Sequence, residues 1–331
     1  MTDPALSATQ PLCRICGGPA SAMYVAREMM FGRRDAFPYF QCGDCGCLQI
    51  ADVPADLGRY YPNNYYSFNP GRKRVRPLRR FLRAARARFA VERKGLLGRV
   101  LFWQKKPDPL LVMYGDLGVK LTDRLLDVGG GGGGHVWQLR EAGFTRALAI
   151  DRFIDRDVEV DGTILARKMD VFGIEGEFDI IAFHHSFEHM DRQRDTLVRC
   201  RALLARGGRV LIRVPTVTSE AWERYRENWV GVDAPRHLYL HSHESLRRLA
   251  AAAGFRIERL WCDSEILQFW GSEQYRRDIP LDDEKSYGRG LDKSIFTAEQ
   301  IADFRRRAAQ LNAEMRGDAI CALMVPDGAG V

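Results

Sequence analysis

Residues 125–138 read LLDVGGGGGGHVWQ, in which six consecutive glycines follow a short apolar run. Glycine loses more backbone entropy on ordering than any other residue, so this run indicates either a flexible linker or a turn that brings bare backbone against a ligand. The flanks favour the turn, because residues 123–128 are typical of a buried strand and residues 135–142 have helical apolar spacing. A strand, a glycine loop and a helix form the opening unit of a doubly wound α/β domain, where ligands bind beyond the strand's carboxyl end.

The glycine loop matches two kinds of nucleotide-containing ligand. A P-loop is excluded, because no Gly-Lys-Ser/Thr sequence ends the run. The spacing of Gly129, Gly131 and Gly134 fits a dinucleotide fingerprint. The spacing of Gly129, Gly131 and Gly133, preceded by the acid Asp127, fits an S-adenosylmethionine loop equally well. The loop alone leaves these two alternatives open.

Acidic residues follow the next two predicted strands. RALAID places Asp151 at the end of the second strand, 22 residues after Gly129, where its carboxylate can accept hydrogen bonds from both ribose hydroxyls. KMDV places Asp170 after a third strand. FDIIAFHHSFEHM predicts a fourth strand, and LLARGGRVLIRVP predicts a helix end, a glycine turn and a fifth strand.

Taken together, LDVGGGGG, IDR, MDV, FDIIAFHHSFEHM and LLARGGRVLIRVP resemble the class I S-adenosylmethionine-dependent methyltransferases, over residues 120–263. The resemblance implies a methyltransferase that uses S-adenosylmethionine, on a doubly wound, seven-stranded, Rossmann-like α/β sheet. RIERLWC (256–262) and DAICALMV (318–325) are the candidates for the sixth and seventh strands. The residues expected to bind the cofactor are Asp127, Gly129, Gly131, Gly133, Asp151, Arg152, Asp170, Val171 and His184.

Histidines cluster where a methyl acceptor would be expected. His184, His185 and His189 follow the fourth strand, and His237 follows the fifth. A hydroxyl acceptor needs a general base, and histidine is suited to this role because its unperturbed pKa lies near 6.5. We rank His189 first as the base, then His185, then His237, and include the neighbouring Glu188 in the catalytic set.

A catalytic metal is the alternative use of the same stretch. In ubiquinone-type O-methyltransferases the similar segment reads Glu-x-x-Glu-His and holds a divalent cation. The matching residues in this chain are His185, Glu188 and His189. The first carboxylate is therefore missing, which weakens a magnesium site.

Five of the eight cysteines lie in the first 47 residues. Cys13 and Cys16 form one C-x-x-C pair, and Cys42 and Cys45 form a second. Two such pairs can close a tetrahedral structural zinc site, and an intracellular setting argues against disulfides. Cys47 could replace Cys45 as the fourth ligand. The sequence therefore predicts a small, zinc-ribbon-like N-terminal module.

The chain divides into three predicted regions: a zinc module (1–53), an aromatic linker with basic amphipathic helices (54–107), and the methyltransferase domain (108–331). Within the last, residues 264–317 form an insertion between the final two strands, long enough to wall the substrate site. RYYPNNYYSFNP supplies Tyr60, Tyr61, Tyr65 and Tyr66, which we expect to pack the module rather than to cover a ligand.

The positive charge is local. Residues 71–106 contain fourteen Lys or Arg and one acid, whereas the whole chain carries +7, so the rest is acidic overall. Apolar spacing predicts helices around residues 78–89 and 96–102. We slightly favour a solvated helix packed on the next domain over contact with an anionic membrane. The N-terminus lacks a signal-peptide pattern, so we expect a cytoplasmic protein, with the inner face of the membrane as the place of any such contact.

The order of a CxxC…CxxC module, a YY…Y segment and this domain resembles bacterial methyltransferases of sugar and polysaccharide pathways. Those that methylate carbon carry a large additional C-terminal domain, for which this chain stops too early. The resemblance therefore implies O-methylation of a sugar or sugar-derived small molecule or glycan. Carbon methylation of a sugar remains an alternative, as does an RNA acceptor bound by the zinc module and the basic helix. The oligomeric state is left open.

Overall fold

The computed structural model of the protein describes residues 10–61 and 76–328. The strands are β1 Ala20–Arg27, β2 Ala36–Cys42, β3 Leu48–Ile50, β4 Leu125–Val128, β5 Ala147–Ile150, β6 Val158–Val160, β7 Thr163–Arg167, β8 Phe178–His184, β9 Leu204–Pro215, β10 Tyr239–Leu240, β11 Phe255–Cys262 and β12 Ala319–Pro326. The α-helices are α1 Pro77–Glu92, α2 Leu96–Gln104, α3 Pro109–Asp116, α4 Gly134–Glu141, α5 Gln193–Leu203, α6 Glu220–Tyr225, α7 His243–Ala252, α8 Leu267–Tyr275 and α9 Ala298–Ala313.

Eight strands form the larger sheet, in the order β11-β12-β9-β8-β4-β5-β7-β6. Strand β4 pairs in parallel with both β5 and β8, so that Leu125 lies opposite Ala147 on one side and Ile180 on the other. The predicted doubly wound, Rossmann-like α/β fold is confirmed. The predicted count of seven strands is one short, because β6 adds an antiparallel edge strand to β7. The signal for this hairpin is the Asp161-Gly162 turn, in which both residues have positive φ.

A smaller sheet has the order β1-β2-β3-β10. Strands β1, β2 and β3 belong to the cysteine module. The fourth strand, β10, comes from far along the chain and pairs with β3 through Tyr239 opposite Gln49. The cysteine module therefore forms one sheet with a segment that lies nearly 200 residues later.

The chain forms two compact units, each assembled from segments that are distant in sequence. The first unit comprises Met1–Tyr60, Glu188–Arg194 and Arg213–Ala322. Its core is aromatic and includes Tyr39, Phe40 and Trp229. The second unit comprises Tyr61–Phe187, Asp195–Ile212 and Leu323–Val331.

Capping residues set the ends of the later helices. Ser242 accepts a hydrogen bond from the Ser245 amide at the start of α7. Thr297 and Gln300 form a capping box at the start of α9. Within the predicted insertion, α8 is an additional helix that the sequence pattern did not indicate. Across residues 10–61 and 76–328, no helix combines the length and the apolar character needed to cross a membrane.

Candidate functional site

The glycine loop has a backbone that other residues could adopt only with strain. Gly129, Gly131 and Gly133 have φ values of +73°, +54° and +77°. A Cβ atom on Gly130 would lie 2.6 Å from Asp127 Oδ2. The loop is therefore a turn of bare backbone directly after β4, and it begins α4.

Asp151 is fixed against this loop at the carboxyl end of β5. Its Oδ2 accepts a hydrogen bond from the Gly131 amide at 2.9 Å, and its Oδ1 accepts one from the Phe153 amide at 2.8 Å. The Ser186 hydroxyl, which follows β8, donates to the Val128 carbonyl at 2.6 Å. The ends of three neighbouring strands are thus tied together around the glycines.

A polar cluster borders the loop within the second unit. Asp127, His135 and His184 each place a potential metal-ligating atom within 4.8 Å of the others. The His135 and His184 rings meet edge to face at 5.2 Å, and His184 Nε2 lies 2.9 Å from the Tyr114 hydroxyl. Sequence reasoning included Asp127 and His184 but missed His135 and Tyr114. The position of His135, directly after the glycine run, was the available signal.

An aromatic stack stands beside Asp151. The ring of Phe153, which is 53% exposed, stacks on Tyr61 at 6.0 Å with an interplanar angle of 11°. The guanidinium of Arg152 lies over the same Phe153 ring at 4.6 Å. Of the four tyrosines, Tyr60 is buried against Phe37 within the first unit, and Tyr65 and Tyr66 lie outside the described residues.

Asp170 lies beyond the end of β7 in a turn of its own. Its Oδ1 accepts hydrogen bonds from the amides of Phe172 at 2.9 Å and Gly173 at 3.2 Å. The adjacent Val171 is buried. The Asp170 side chain is therefore engaged with its own backbone, an arrangement that fixes the direction of the Val171 peptide.

A family model described as a methyltransferase domain matches residues 73–260, which is more than half of the chain. The chain belongs to this methyltransferase family. It is accordingly an enzyme of the methyltransferase class, with S-adenosylmethionine as its methyl donor.

Solved structures similar to this methyltransferase share little sequence with it. A complex between the Haloferax volcanii Trm112 methyltransferase activator and a putative methyltransferase matches at 18% identity, covering 64% of this chain and 86% of that chain, with a TM-score of 0.40. A SAM-dependent methyltransferase from Archaeoglobus fulgidus also matches at 18% identity, covering 61% and 86%, with a TM-score of 0.38. The cyclopropane synthase MmaA2 from Mycobacterium tuberculosis matches at 15% identity, covering 61% and 78%, with a TM-score of 0.38. No curated protein sequence matches the chain.

A second cluster lies in the first unit of the methyltransferase. Glu188, His189 and His237 each place a ligating atom within 4.8 Å of the others. The two histidine rings meet edge to face at 4.7 Å. His237 Nε2 lies 3.8 Å from Glu188 Oε1 and 3.7 Å from Asp233 Oδ2. Two of the three histidines ranked as candidate bases are therefore adjacent.

Hydrogen bonds fix the proton positions on both rings. His189 Nδ1 lies 2.9 Å from the Arg236 carbonyl, and His237 Nδ1 lies 2.8 Å from the Gly231 carbonyl. Because a carbonyl oxygen only accepts, each Nδ1 carries the hydrogen, and each Nε2 of a neutral ring presents a lone pair. That lone pair can take a proton or bind a metal.

Burial shifts the pKa values of Glu188 and His237 in opposite directions. It raises the pKa of Glu188 to about 8 and lowers the pKa of His237 to about 3. Burial also opposes ionisation of Asp233, but the adjacent Arg236 guanidinium outweighs it and lowers the pKa of Asp233 to about 2. At pH 7, His237 is therefore neutral and resists protonation.

His185 is not a member of this cluster. The structure places it on the surface, with a left-handed backbone at φ +53°. Non-glycine residues adopt this conformation at a cost of about 1–3 kcal/mol, and such residues concentrate at functional sites. The structure thus brings His189 and His237 together without His185.

The fully buried Arg236 organises the segment that carries His237. Its Nη2 pairs with Asp233 Oδ1 at 2.6 Å and with Glu28 Oε1 at 2.9 Å. Its Nη1 donates to the Tyr60 carbonyl at 3.2 Å, and its guanidinium lies 5.3 Å from the centre of the Phe31 ring. Sequence reasoning missed Glu28, which is remote in the chain and belongs to the cysteine module.

The four predicted zinc ligands lie together. The Sγ atoms of Cys13, Cys16, Cys42 and Cys45 are all within 4.8 Å of one another, with Cys13–Cys45 at 3.6 Å and Cys16–Cys42 at 3.5 Å. A tetrahedral site with Zn–S bonds of about 2.3 Å requires S–S distances of about 3.8 Å. The geometry therefore fits zinc. Cys47 Sγ instead lies against the Leu48 carbonyl.

The cysteine cluster is joined by hydrogen bonds to the segment around β10. Gln49 Nε2 donates to Cys13 Sγ at 2.9 Å, and the Ser242 hydroxyl donates to the Cys45 carbonyl. The Tyr39 hydroxyl donates to the His237 carbonyl at 2.8 Å. The cysteine module thus braces the chain on both sides of His237.

Proposed function

We propose that this methyltransferase transfers a methyl group to a hydroxyl of a sugar or a sugar-derived small molecule or glycan, with His189 as the general base. The observation that carries the proposal is the His189 ring, whose Nδ1–H donates to the Arg236 carbonyl and leaves Nε2 as the proton acceptor. A hydroxyl attacks poorly while it keeps its proton, and a positioned base contributes about 10²–10⁴-fold to the rate. The chain runs from β8 directly to His189, five residues after the strand ends.

S-adenosylmethionine, when bound, supplies a methyl group already activated on a sulfonium. We assign the bare backbone at Gly129, Gly131 and Gly133 to its methionine half. Asp151 is assigned to the ribose hydroxyls. The adjacent Arg152 is assigned to the cofactor as well, on the same side of the glycine loop as Asp151.

The remaining cofactor contacts are assigned to two groups of residues. Asp170 and the Val171 amide are assigned to the adenine. Asp127 and His184, joined by the newly found His135, are assigned to the polar end of the methionine. The two groups lie at different strand ends: Asp170 and Val171 follow β7, whereas Asp127 lies in β4 and His184 ends β8.

Replacing Asp151 with alanine is expected to weaken S-adenosylmethionine binding at least about 10-fold. The variant removes the ribose acceptor and releases two loop amides, and hydrogen bonds to a charged group contribute about 1.5–3 kcal/mol each. Calorimetric titration measures the effect. Asp283→Ala is the matched control, because Asp283 makes a similar local bond to the Lys285 amide at 2.8 Å on an exposed loop. Parent-like affinity in the Asp151 variant would refute the cofactor assignment.

The acceptor class is tested by incubating the enzyme with methyl-labelled S-adenosylmethionine and candidate sugars, glycans and RNA. Label on a carbohydrate supports the proposal, whereas label on RNA alone favours the nucleic-acid alternative.

A chelator tests whether a catalytic metal is involved, because Glu188, His189 and His237 together also offer a divalent-metal site. We expect turnover to survive removal of exchangeable divalent cations, and complete loss that is restored by a metal would instead assign a catalytic cation.

We also propose one structural zinc on Cys13, Cys16, Cys42 and Cys45. Elemental analysis of protein purified without added metal is expected to give about one equivalent, as a closed four-ligand site requires. Cys42→Ser should lose the metal and destabilise the first unit, whereas Cys47→Ser should keep it. A fully folded, metal-free parent protein would contradict the assignment.

We further propose that α1 and α2 contact an anionic membrane surface. Several large apolar side chains are exposed on these helices, with Leu96 at 82%, Trp103 at 74%, Leu78 at 70% and Phe81 at 61%. Residues 76–106 also carry eleven basic side chains and one acid, Glu92. Apolar side chains flanked by arginines fit lipid headgroups and the outer acyl region, and a surface of this charge would repel a second copy of itself. The start of the basic segment, 71–75, lies outside the described residues.

The double variant Leu96→Ser/Trp103→Ser is expected to weaken association with anionic vesicles at least about 10-fold, because fully burying one large apolar side chain contributes about 1.5–3 kcal/mol. Flotation with anionic and neutral liposomes at low and high salt measures the association. Val198→Ser, at a residue that is 50% exposed on α5, is the control. Failure of the parent to float with anionic vesicles at low salt would return these helices to the solvated interpretation. Equal flotation with neutral vesicles, or no effect of salt, would contradict recognition of an anionic surface.

A further inference from the structure

The predicted insertion contributes to a cavity of about 840 Å³ in the first unit. Helices α6, α8 and α9 line it, and five of the eleven lining residues are arginines. Arginine presents several N–H donors in a fixed planar arrangement that matches phosphate and carboxylate groups. The cavity is not part of either cluster described above.

Three of these guanidinium groups share one carboxylate. Glu273 pairs with Arg277 at 2.8 Å, with Arg224 at 3.4 Å and with Arg276 at 3.8 Å. The Tyr225 hydroxyl also donates to Glu273 at 3.0 Å. One carboxylate cannot neutralise three guanidinium ions, so this wall keeps an excess of about two positive charges.

Stacking holds part of the basic wall in place. The Arg224 guanidinium lies 5.2 Å from the centre of the Tyr225 ring. The Arg307 guanidinium lies 4.7 Å from the centre of the Phe269 ring and pairs with Glu220. Donors that are held before a ligand binds lose less side-chain entropy on binding.

Acidic side chains line the cavity as well. Glu299 and Asp303, one turn apart on α9, contribute carboxylates. Carboxylate oxygens accept hydrogen bonds from hydroxyl groups but repel a phosphate. Asp303 also pairs with the lining residue Arg306 at 2.9 Å. The lining therefore offers guanidinium donors for an anionic group together with carboxylate acceptors for hydroxyl groups. The volume is also far larger than an inorganic phosphate needs.

We propose that this cavity binds a phosphorylated sugar, with the phosphate on Arg224, Arg276 and Arg277 and the hydroxyls on Glu299 and Asp303. Helix α8 also borders the segment that carries the histidine cluster, since its Ser272 hydroxyl accepts a hydrogen bond from the Val230 amide at 3.0 Å. The bound phosphorylated sugar would be the methyl acceptor. Binding itself is argued from the cavity lining, and only the identification of the ligand as the acceptor rests on the proposed function.

The test is calorimetric titration of the full chain, without S-adenosylmethionine, with a hexose 1-phosphate, the unphosphorylated hexose and inorganic phosphate. The hexose phosphate is expected to bind more tightly than either of the other two. Arg276→Gln/Arg277→Gln should weaken its binding about 10-fold or more, the loss expected from one charge-assisted hydrogen bond. Both side chains are more than half exposed, so the fold should persist.

Two further variants sharpen the result. Glu299→Gln should weaken binding of the hexose phosphate more than binding of inorganic phosphate. Arg248→Gln, which breaks a single exposed pair with Glu244 outside the cavity, should leave both unchanged. Absence of saturable binding, equal affinity in the parent and the double-arginine variant, or equal affinity for the unphosphorylated hexose would overturn the proposal. Because the titration involves no methyl transfer, such a failure would leave the proposed function standing.

Discussion

Replacing His189 with alanine is expected to lower kcat by about 10²-fold or more and to leave the affinity for S-adenosylmethionine unchanged. The variant removes the Nε2 lone pair that would take the hydroxyl proton, whereas the residues assigned to the cofactor belong to the other unit. His237 cannot replace it efficiently, because burial lowers the pKa of His237 to about 3. Steady-state kinetics on a confirmed hydroxyl acceptor, with calorimetry for the cofactor, measure both quantities.

His243→Ala is the matched control for this variant, because His243 lies on α7 outside both clusters. His185→Ala is measured beside it, since His185 ranked second among the predicted bases. Full turnover in both the His189 and the His185 variants would remove the histidines after β8 from the mechanism. His237 would then be the next candidate.

Replacing Arg236 with methionine is expected to lower the free energy of unfolding by about 3–5 kcal/mol, the effect of breaking a buried ion pair by removing one partner. The substitution leaves the carboxylates of Glu28 and Asp233 without their shared cation. Urea denaturation at pH 7 measures the loss. Adding Glu28→Gln to the Arg236 variant should recover part of it, because the second change removes one of the stranded charges.

The pH dependence of this effect follows from Asp233. Arg236 holds the pKa of Asp233 at about 2, below its ordinary value of 3.8. A lowered carboxyl pKa contributes stability that is complete above the unfolded-state value and is lost as the pH falls toward the folded-state value. The difference between parent and variant should therefore be largest above about pH 4 and shrink below it. Arg316→Met breaks only an exposed pair with Glu223 and should cost less than about 1 kcal/mol at any pH.

Local patterns were sufficient to predict seven of the eight strands of the larger sheet. Strand β4, the glycine loop and α4 carry strong local signals, and so does the Ser242 cap of α7. The edge strand β6 was missed because the prediction relied on apolar runs, while β6 is short and half-exposed and its evidence lies in the Asp161-Gly162 turn.

Long-range pairing could not be predicted in the same way. Nothing local to Tyr239 or to Gln49 indicates that β10 completes the sheet of the cysteine module. Likewise, the ion pair between Glu28 and Arg236 joins residues 208 positions apart. Such contacts depend on the whole fold, so a single sequence offers no periodicity or spacing that reveals them.

The sequence predicted the part of the candidate site that is formed by residues at the carboxyl ends of strands. Asp151 and the loop glycines follow consecutive parallel strands, whose carboxyl ends meet at one sheet edge by construction. The adjacency of His189 and His237 was not predictable, because it depends on the segment that Arg236 and the cysteine module hold in place. His185 illustrates the opposite case, since its proximity in sequence to His189 did not bring it into the cluster.

The most direct test of the proposed reaction is the chemical position of the transferred methyl group. Carbon-13 NMR of an acceptor methylated from ¹³C-methyl-labelled S-adenosylmethionine reports the atom to which the new methyl carbon is bonded. The proposed function predicts a methyl carbon attached to oxygen on a sugar or sugar-derived hydroxyl. A methyl carbon attached to ring carbon, or to nitrogen of a nucleic-acid base, would contradict it.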